Sequence, residues 1–231
     1  VLVTLMTLAG ILPYIALQIR AVAESTQVLA AQASPVPIAI GFCILVTVFA
    51  IIFGARHVTP REKHTGLVVA IAFESLVKLL ALLVLAAVAI ALAFGGLGGL
   101  DAWLAEKPDR LEAFYRRGID GPWSSLLLIT FAAGLLLPRQ FHMTFTENLN
   151  PKALVSASWG LPLFLLLLSA ATPPILWAGQ ALNVGTSSDY YPLGLAVLSG
   201  SPTLTIMIYL GGISAASAMI IVATLALSSM S

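Results

Sequence analysis

The sequence predicts an all-α, polytopic membrane protein with six transmembrane helices, and three observations carry that prediction. The chain is 59% hydrophobic and only 9% charged, where a soluble domain carries roughly a quarter charged residues. Its mean hydropathy is +1.01. Its apolar stretches are long enough to cross a hydrocarbon layer and lack the period-2 alternation of a closed barrel. Backbone groups in lipid must be paired internally, so helices are the remaining option.

A span needs about 20 apolar residues for a ~30 Å layer. Six stretches qualify, at about 1–31, 38–55, 65–94, 122–147, 153–182 and 201–229. Basic residues in short loops set orientation. Arg56, Arg61 and Lys63 join the second and third spans, and Lys152 joins the fourth and fifth. The first–second and fifth–sixth connections hold no Lys or Arg. The N-terminus is therefore expected in the cytoplasm of a multi-pass protein. The start at Val1 without methionine and the end at Ser231 after an apolar run read as cuts through a larger protein. Residues 1–231 then form one partial transmembrane domain, with flanking helices in the same polypeptide.

The first span is interrupted by Tyr14, Gln18, Arg20 and Glu24. Tyr14, Gln18 and Glu24 can line one face. Arg20 and Glu24 form an i,i+4 pair near the outer end, read as a solvated terminus. In the second span, Cys43 reads as an inert packing residue. The third span holds Glu74 and Lys78, four apart with the acid first, the favourable order for pairing. Lys78 lies about 18 Å along the helix from Gly66, near the ~15 Å midplane depth. Two readings stay open: a pair that neutralises itself between helices, or a site for ion or proton coupling.

After the third span, Gly95-Gly96-Leu97-Gly98-Gly99 reads as a span-ending loop. No strand precedes it, so it is not a phosphate cradle. Residues 108–118 then predict a short helix, with Pro108 first, acids in its first turn, arginines in its last and Gly118 after it. Leu111, Phe114 and Tyr115 share a face that could rest on the membrane surface. Trp123, Trp159 and Trp177 fall near span ends, as an aromatic belt requires.

The fourth span contains Leu137-Pro138-Arg139-Gln140-Phe141-His142. Proline removes a donor and clashes with the preceding turn, so a kink or break is expected. Arg139, Gln140 and His142 follow it, either as snorkelling residues near the cytoplasmic end or as part of a broken-helix site. In the fifth span, Pro162, Pro173 and Pro174 suggest bends. The sixth holds Gly211-Gly212-Ile213-Ser214-Ala215-Ala216, small residues that permit close helix approach or leave carbonyls accessible to a site.

A net charge of +1 without a basic face excludes an electrostatic nucleic-acid binder. His57, His64 and His142 do not make a metal-ligand spacing, and no cofactor is expected. No covalent chemistry is visible, so an enzyme is not expected.

Taken together, Tyr14–Gln18, Gly54–His57, Gly66-Leu67 with Ala72–Lys78, Leu137–His142 and Gly211–Ala216 resemble the sodium:solute symporter family. More narrowly, they resemble the transporter-like N-terminal module of bacterial hybrid sensor histidine kinases. The resemblance covers essentially the whole chain. It implies a fragment of a five-plus-five inverted-repeat, leucine-transporter-like fold, with this chain covering the third to eighth core helices. It implies secondary transport of a small polar solute, such as an amino acid, coupled to sodium or protons. The alternative is a sensory input domain that reports solute to a cytoplasmic kinase module. The substrate or coupling candidates are Gln18, Glu74, Lys78, Pro138, Arg139, Gln140 and His142. A carboxylate at the position of Glu74 matches the family. The adjacent sodium-ligating hydroxyls do not, because Gly212, Ala215 and Ala216 stand there and alanine methyls cannot coordinate a hard cation. The expectation is that the Lys78 ammonium replaces sodium, since a desolvated lysine can exchange a proton.

Overall fold

The computed structural model describes residues 2–30, 32, 34–54, 65–115, 122–137, 141, 144–145, 148, 150 and 152–228. Among them there is no strand. Nine α-helices are described: α1 (Leu2–Leu29), α2 (Pro35–Phe49), α3 (Thr65–Phe94), α4 (Leu97–Glu106), α5 (Asp109–Tyr115), α6 (Trp123–Leu136), α7 (Ala153–Ala181), α8 (Tyr191–Leu198) and α9 (Pro202–Ser228). A π-helical turn, Ala50–Gly54, continues α2, and a 3₁₀ turn, Ser188–Tyr190, leads into α8.

Five of these helices are long and apolar enough to cross a membrane, over Thr4–Leu29, Pro35–Ile52, Val68–Phe94, Ala153–Ala181 and Pro202–Thr224. Their large apolar side chains point outward to an extent no soluble protein tolerates. Trp159 is 82% exposed, and Ile44, Phe73 and Leu166 are likewise exposed. Long apolar helices with outward apolar faces are the build of a multi-pass helical membrane protein.

The fourth expected span differs. Over 122–147 the described helix is α6, whose 14 residues cover about 21 Å, short of a ~30 Å layer. It ends because Leu137 leaves the helix, with φ −59° and ψ 129°. A residue preceding proline is pushed from the α region into extended backbone, and Pro138 follows. One hydrogen bond from Phe141 N–H to the Leu137 carbonyl, 2.9 Å, is described beyond that point.

The glycine-rich stretch is a second departure. Only Gly95 and Gly96 form a turn, at φ +70° and +132°, conformations a side chain rarely permits. Gly98 and Gly99 lie inside α4, not in a loop. A Cβ at Gly99 would sit 1.8 Å from the Phe94 carbonyl oxygen, so the glycine lets α4 fold back tightly on the end of α3. Phe94 and Trp103 then meet at 5.3 Å between ring centroids. Lys107 caps the pair, 5.2 Å from the Trp103 ring centre. The predicted short helix forms as α5, preceded by Pro108 and with Asp109 and Glu112 in its first turn. Arg110 ties it to the end of α7 by donating to Gln180, 3.0 Å. The three prolines expected to bend the fifth span all lie within the continuous helix α7.

Lipid tails are as apolar as leucine, so helices in a membrane associate through close packing and small residues. Two cores follow that rule. One joins Leu85, Ala86 and Ala89 of α3 to Ala171, Ile175 and Ala178 of α7, Leu195 and Ala196 of α8, and Leu204 of α9. The other joins Val22 of α1 to Phe42 and Val46 of α2 and to Ala216, Ile220 and Ile221 of α9. Among the described helices, only α9 contributes buried residues to both.

Candidate functional site

Between the two cores lies a cavity of about 280 Å³, enclosed by α1, α3, the Ser188–Tyr190 turn, α8 and α9. Its walls are mostly aliphatic, and its polar lining is Gln18, Ser25, Lys78, Asp189, Tyr190 and Tyr209.

The floor is set by α3. Lys78 Nζ donates to Glu74 Oε1 at 2.6 Å, one turn back along the helix. Both side chains are mostly withdrawn, at 25% and 19% exposure for the lysine and the acid. Lys78 stands ten residues into the Val68–Phe94 span, about 15 Å from its end. Its aliphatic stem crosses to α9, where a Cβ on Gly211 would lie 3.1 Å from Lys78 Cγ. A fixed ion pair at this depth is tolerable because each charge has a partner and the lysine faces a cavity instead of acyl chains.

The wall at Tyr190 and Tyr209 is tied to α1 by residues far apart in sequence. Tyr190 OH donates to Glu24 Oε2 at 2.7 Å, and Arg20 Nε donates to the other oxygen of the same carboxylate. Beside them, Thr26 Oγ1 and the Tyr209 hydroxyl share a hydrogen bond of 2.8 Å, joining α1 to α9. Tyr190 is held in place by its neighbours. Tyr191 begins α8 with Pro192 in its first turn. A Cβ at Gly179 would lie 2.3 Å from the Tyr191 ring, so α8 sits hard against α7. Burial, and then the hydrogen bond to the Glu24 carboxylate, push the Tyr190 phenol up to about 12. The phenol therefore remains a donor throughout the physiological range.

Of the residues singled out from sequence, Gln18, Lys78, Gly212, Ala215 and Ala216 line this one cavity, and Glu74 joins it through Lys78. Ala216 is also 3% exposed within the α1–α2–α9 core. The hydroxyl of Ser217 turns back to the Ile213 carbonyl, 2.9 Å, and so does not serve the cavity. Pro138, Arg139, Gln140 and His142 lie outside the described residues, as do His57 and His64. Among the described residues, no group of three or more His, Cys, Asp or Glu is placed to hold a metal ion.

Sequence reasoning missed the contact of Glu24 with Tyr190. It read Arg20 and Glu24 as a solvated helix end, with Glu24 also able to join the face of Tyr14 and Gln18. Arg20 is indeed largely exposed, but Glu24 is only 32% exposed and bonded across to Tyr190. Asp189 and Tyr190 lie in the connection between two spans and were given no role. The available signal was an acid and two tyrosines before a proline, Asp189-Tyr190-Tyr191-Pro192, in a loop without any basic residue.

Compared with known proteins, the chain matches no family model, no curated protein and no solved structure.

Proposed function

We propose that this chain is the solute-holding part of a secondary transporter for a small polar solute, with the Lys78–Glu74 pair as the coupling element. The observation that carries this reading is a membrane-embedded ion pair whose lysine lines a cavity at mid-helix depth. Ionisable side chains inside spans are expensive and concentrate on ion and substrate pathways. Gln18 adds an amide to the lining, and Asp189 an acid. The volume equals that of about nine waters at ~30 Å³ each, the scale of a small organic solute such as an amino acid. Lys78 takes the place of a bound sodium ion, and its proton is what the transport cycle exchanges. On this reading the Ser188–Tyr190 turn faces the outside of a bacterial inner membrane.

The test is uptake by the intact protein in proteoliposomes, with a panel of labelled amino acids, under separately imposed proton and sodium gradients. Accumulation driven by protons without sodium, and lost in Lys78→Ala, supports the reading. Strict sodium dependence, or unaltered coupling in Lys78→Ala, removes it. Saturable binding without uptake replaces transport with sensing.

A further inference from the structure

The polar groups on the cavity wall divide into those already engaged and those left over. Ser25 donates to the Val22 carbonyl of its own helix, 2.9 Å. Tyr209 is engaged with Thr26, and Tyr190 with Glu24. Among the described residues, neither the Gln18 amide nor the Asp189 carboxylate has a hydrogen-bond or ion-pair partner. Lys78 carries three donors, and Glu74 takes one of them. The lining thus offers a solute one amide, one ammonium and one carboxylate.

The two charges meet the solute from opposite ends. Glu74 lies one turn toward the start of α3, so its bond draws the Lys78 ammonium that way. Helix α8, which the Asp189 turn leads into, packs on Leu85, Ala86 and Ala89, toward the other end of α3. Along α1 the lining runs from Gln18 to Ser25, about 10 Å at 1.5 Å per residue. Ser25 stands beside Glu24, the residue bonded to Tyr190. Acid and ammonium are therefore separated by on the order of 10 Å. Between them the wall is hydrocarbon, from Val22, Ala81, Leu82, Leu193 and Ile208.

A solute that satisfies this lining has one negative end, one positive end and an apolar middle. A sugar or polyol does not, because its hydroxyls would be buried along the hydrocarbon wall without partners. An α-amino acid carries both charges on one carbon and reaches one end of the cavity only. A straight five-carbon acid with its amine on the last carbon places the charges five bonds apart, about 6 Å when extended. A hydrogen bond of about 2.8 Å at each end brings its reach to about 12 Å, which matches the cavity.

We propose that the cavity binds a short ω-amino carboxylate, with its carboxylate on Lys78 and Gln18 and its ammonium on Asp189. The inference rests on reading this cavity as the solute site, and deepens that reading by fixing the spacing of the solute's charges. It is the same whether the bound solute is transported or sensed.

The experiment is equilibrium binding to the intact protein in nanodiscs, with tritiated 5-aminopentanoate as the probe. Its isomer norvaline has the same atoms with both charges at one end, while pentanoate and pentylamine each keep one charge. These three are expected to compete at least tenfold more weakly than unlabelled 5-aminopentanoate, the effect of losing a hydrogen bond to a charged group. Asp189→Asn, at an exposed residue, should weaken 5-aminopentanoate on the order of tenfold and leave pentanoate unchanged. Glu74→Gln combined with Lys78→Met removes the pair without stranding a charge. It should weaken 5-aminopentanoate on the order of tenfold to a hundredfold and leave pentylamine unchanged. Norvaline binding as tightly as 5-aminopentanoate overturns the charge-spacing inference and leaves the transport reading standing. Binding of none of the four overturns it as well, as does 5-aminopentanoate affinity that neither variant alters. Binding in the expected order without uptake under a proton gradient supports this inference and removes transport.

Discussion

Lys78 donates to Glu74 across one turn of α3 at 2.6 Å while its stem lies along Gly211 of α9. The pair is thus bound into the helix bundle on one side and open to the cavity on the other. Removing one partner leaves a charge without compensation in a site where water is scarce. Glu74→Gln and Lys78→Met are each expected to destabilise the protein by about 2 kcal/mol, below the ~3–5 kcal/mol of a fully buried pair because both groups keep some exposure. The double variant should recover most of that loss. Thermal unfolding in nanodiscs reads it, and a double variant as unstable as the sum of the two singles would show that the groups do not act as a unit.

Three glycines give opposite predictions from one geometric test. Gly179→Ala drives a methyl into the Tyr191 ring, 2.3 Å away, and should cost about 1–3 kcal/mol as an overpacked contact. Gly212→Ala meets no atom and should stabilise by up to about 1 kcal/mol through helix propensity. Gly211→Ala falls between, since the Lys78 stem at 3.1 Å can yield by a few tenths of an ångström. The order of melting temperatures, 212 above 211 above 179, is the measurement. Any other order would show that α7 or α9 is not packed as described.

Adjacent alanines on α9 should likewise part company. Ala216 is 3% exposed among Val22, Phe42 and Val46, so Ala216→Leu should destabilise by about 1–3 kcal/mol. Ala215 lines the cavity, and Ala215→Ser should cost less than about 0.5 kcal/mol, as its hydroxyl can turn back on the helix as that of Ser217 does. Equal losses at both positions in chemical unfolding would contradict the placement of the cavity wall.

What the sequence disclosed followed from local periodicity. The Glu74–Lys78 pair was readable because both ends lie on one helix, where spacing fixes which side chains meet. The break after Leu136 was readable because Pro138 constrains the residue before it. The fold at Gly95–Gly99 was misread since glycine reports backbone freedom, not direction: two glycines make the turn, and Gly99 serves a close approach within the next helix. The tie between α1 and the turn before α8 was legible only at its Glu24 end. Tyr190 and Glu24 are 166 residues apart, and no periodicity links a loop tyrosine to a helix carboxylate. Gln18 stood out as a polar interruption in an apolar span, and Gly212 and Ala215 through the family resemblance, and their convergence on one cavity depends on helix packing that spacing does not encode.

The Tyr190–Glu24 bond also has a signature in alkali. Folding raises this phenol from 10.0 to about 12, with burial the leading cause and the Glu24 hydrogen bond the next. The folded state therefore holds the proton more tightly than the unfolded chain. The stability so contributed is fully present below about pH 10 and is lost as pH rises toward 12. Tyrosinate absorbance of the intact protein should contain one late step that disappears in Tyr190→Phe. In Glu24→Gln the step should move down only partway, because burial remains when the carboxylate charge is gone. A return all the way to 10.0 in Glu24→Gln would make the carboxylate the main cause and leave the turn before α8 more open to water than its packing against Gly179 requires.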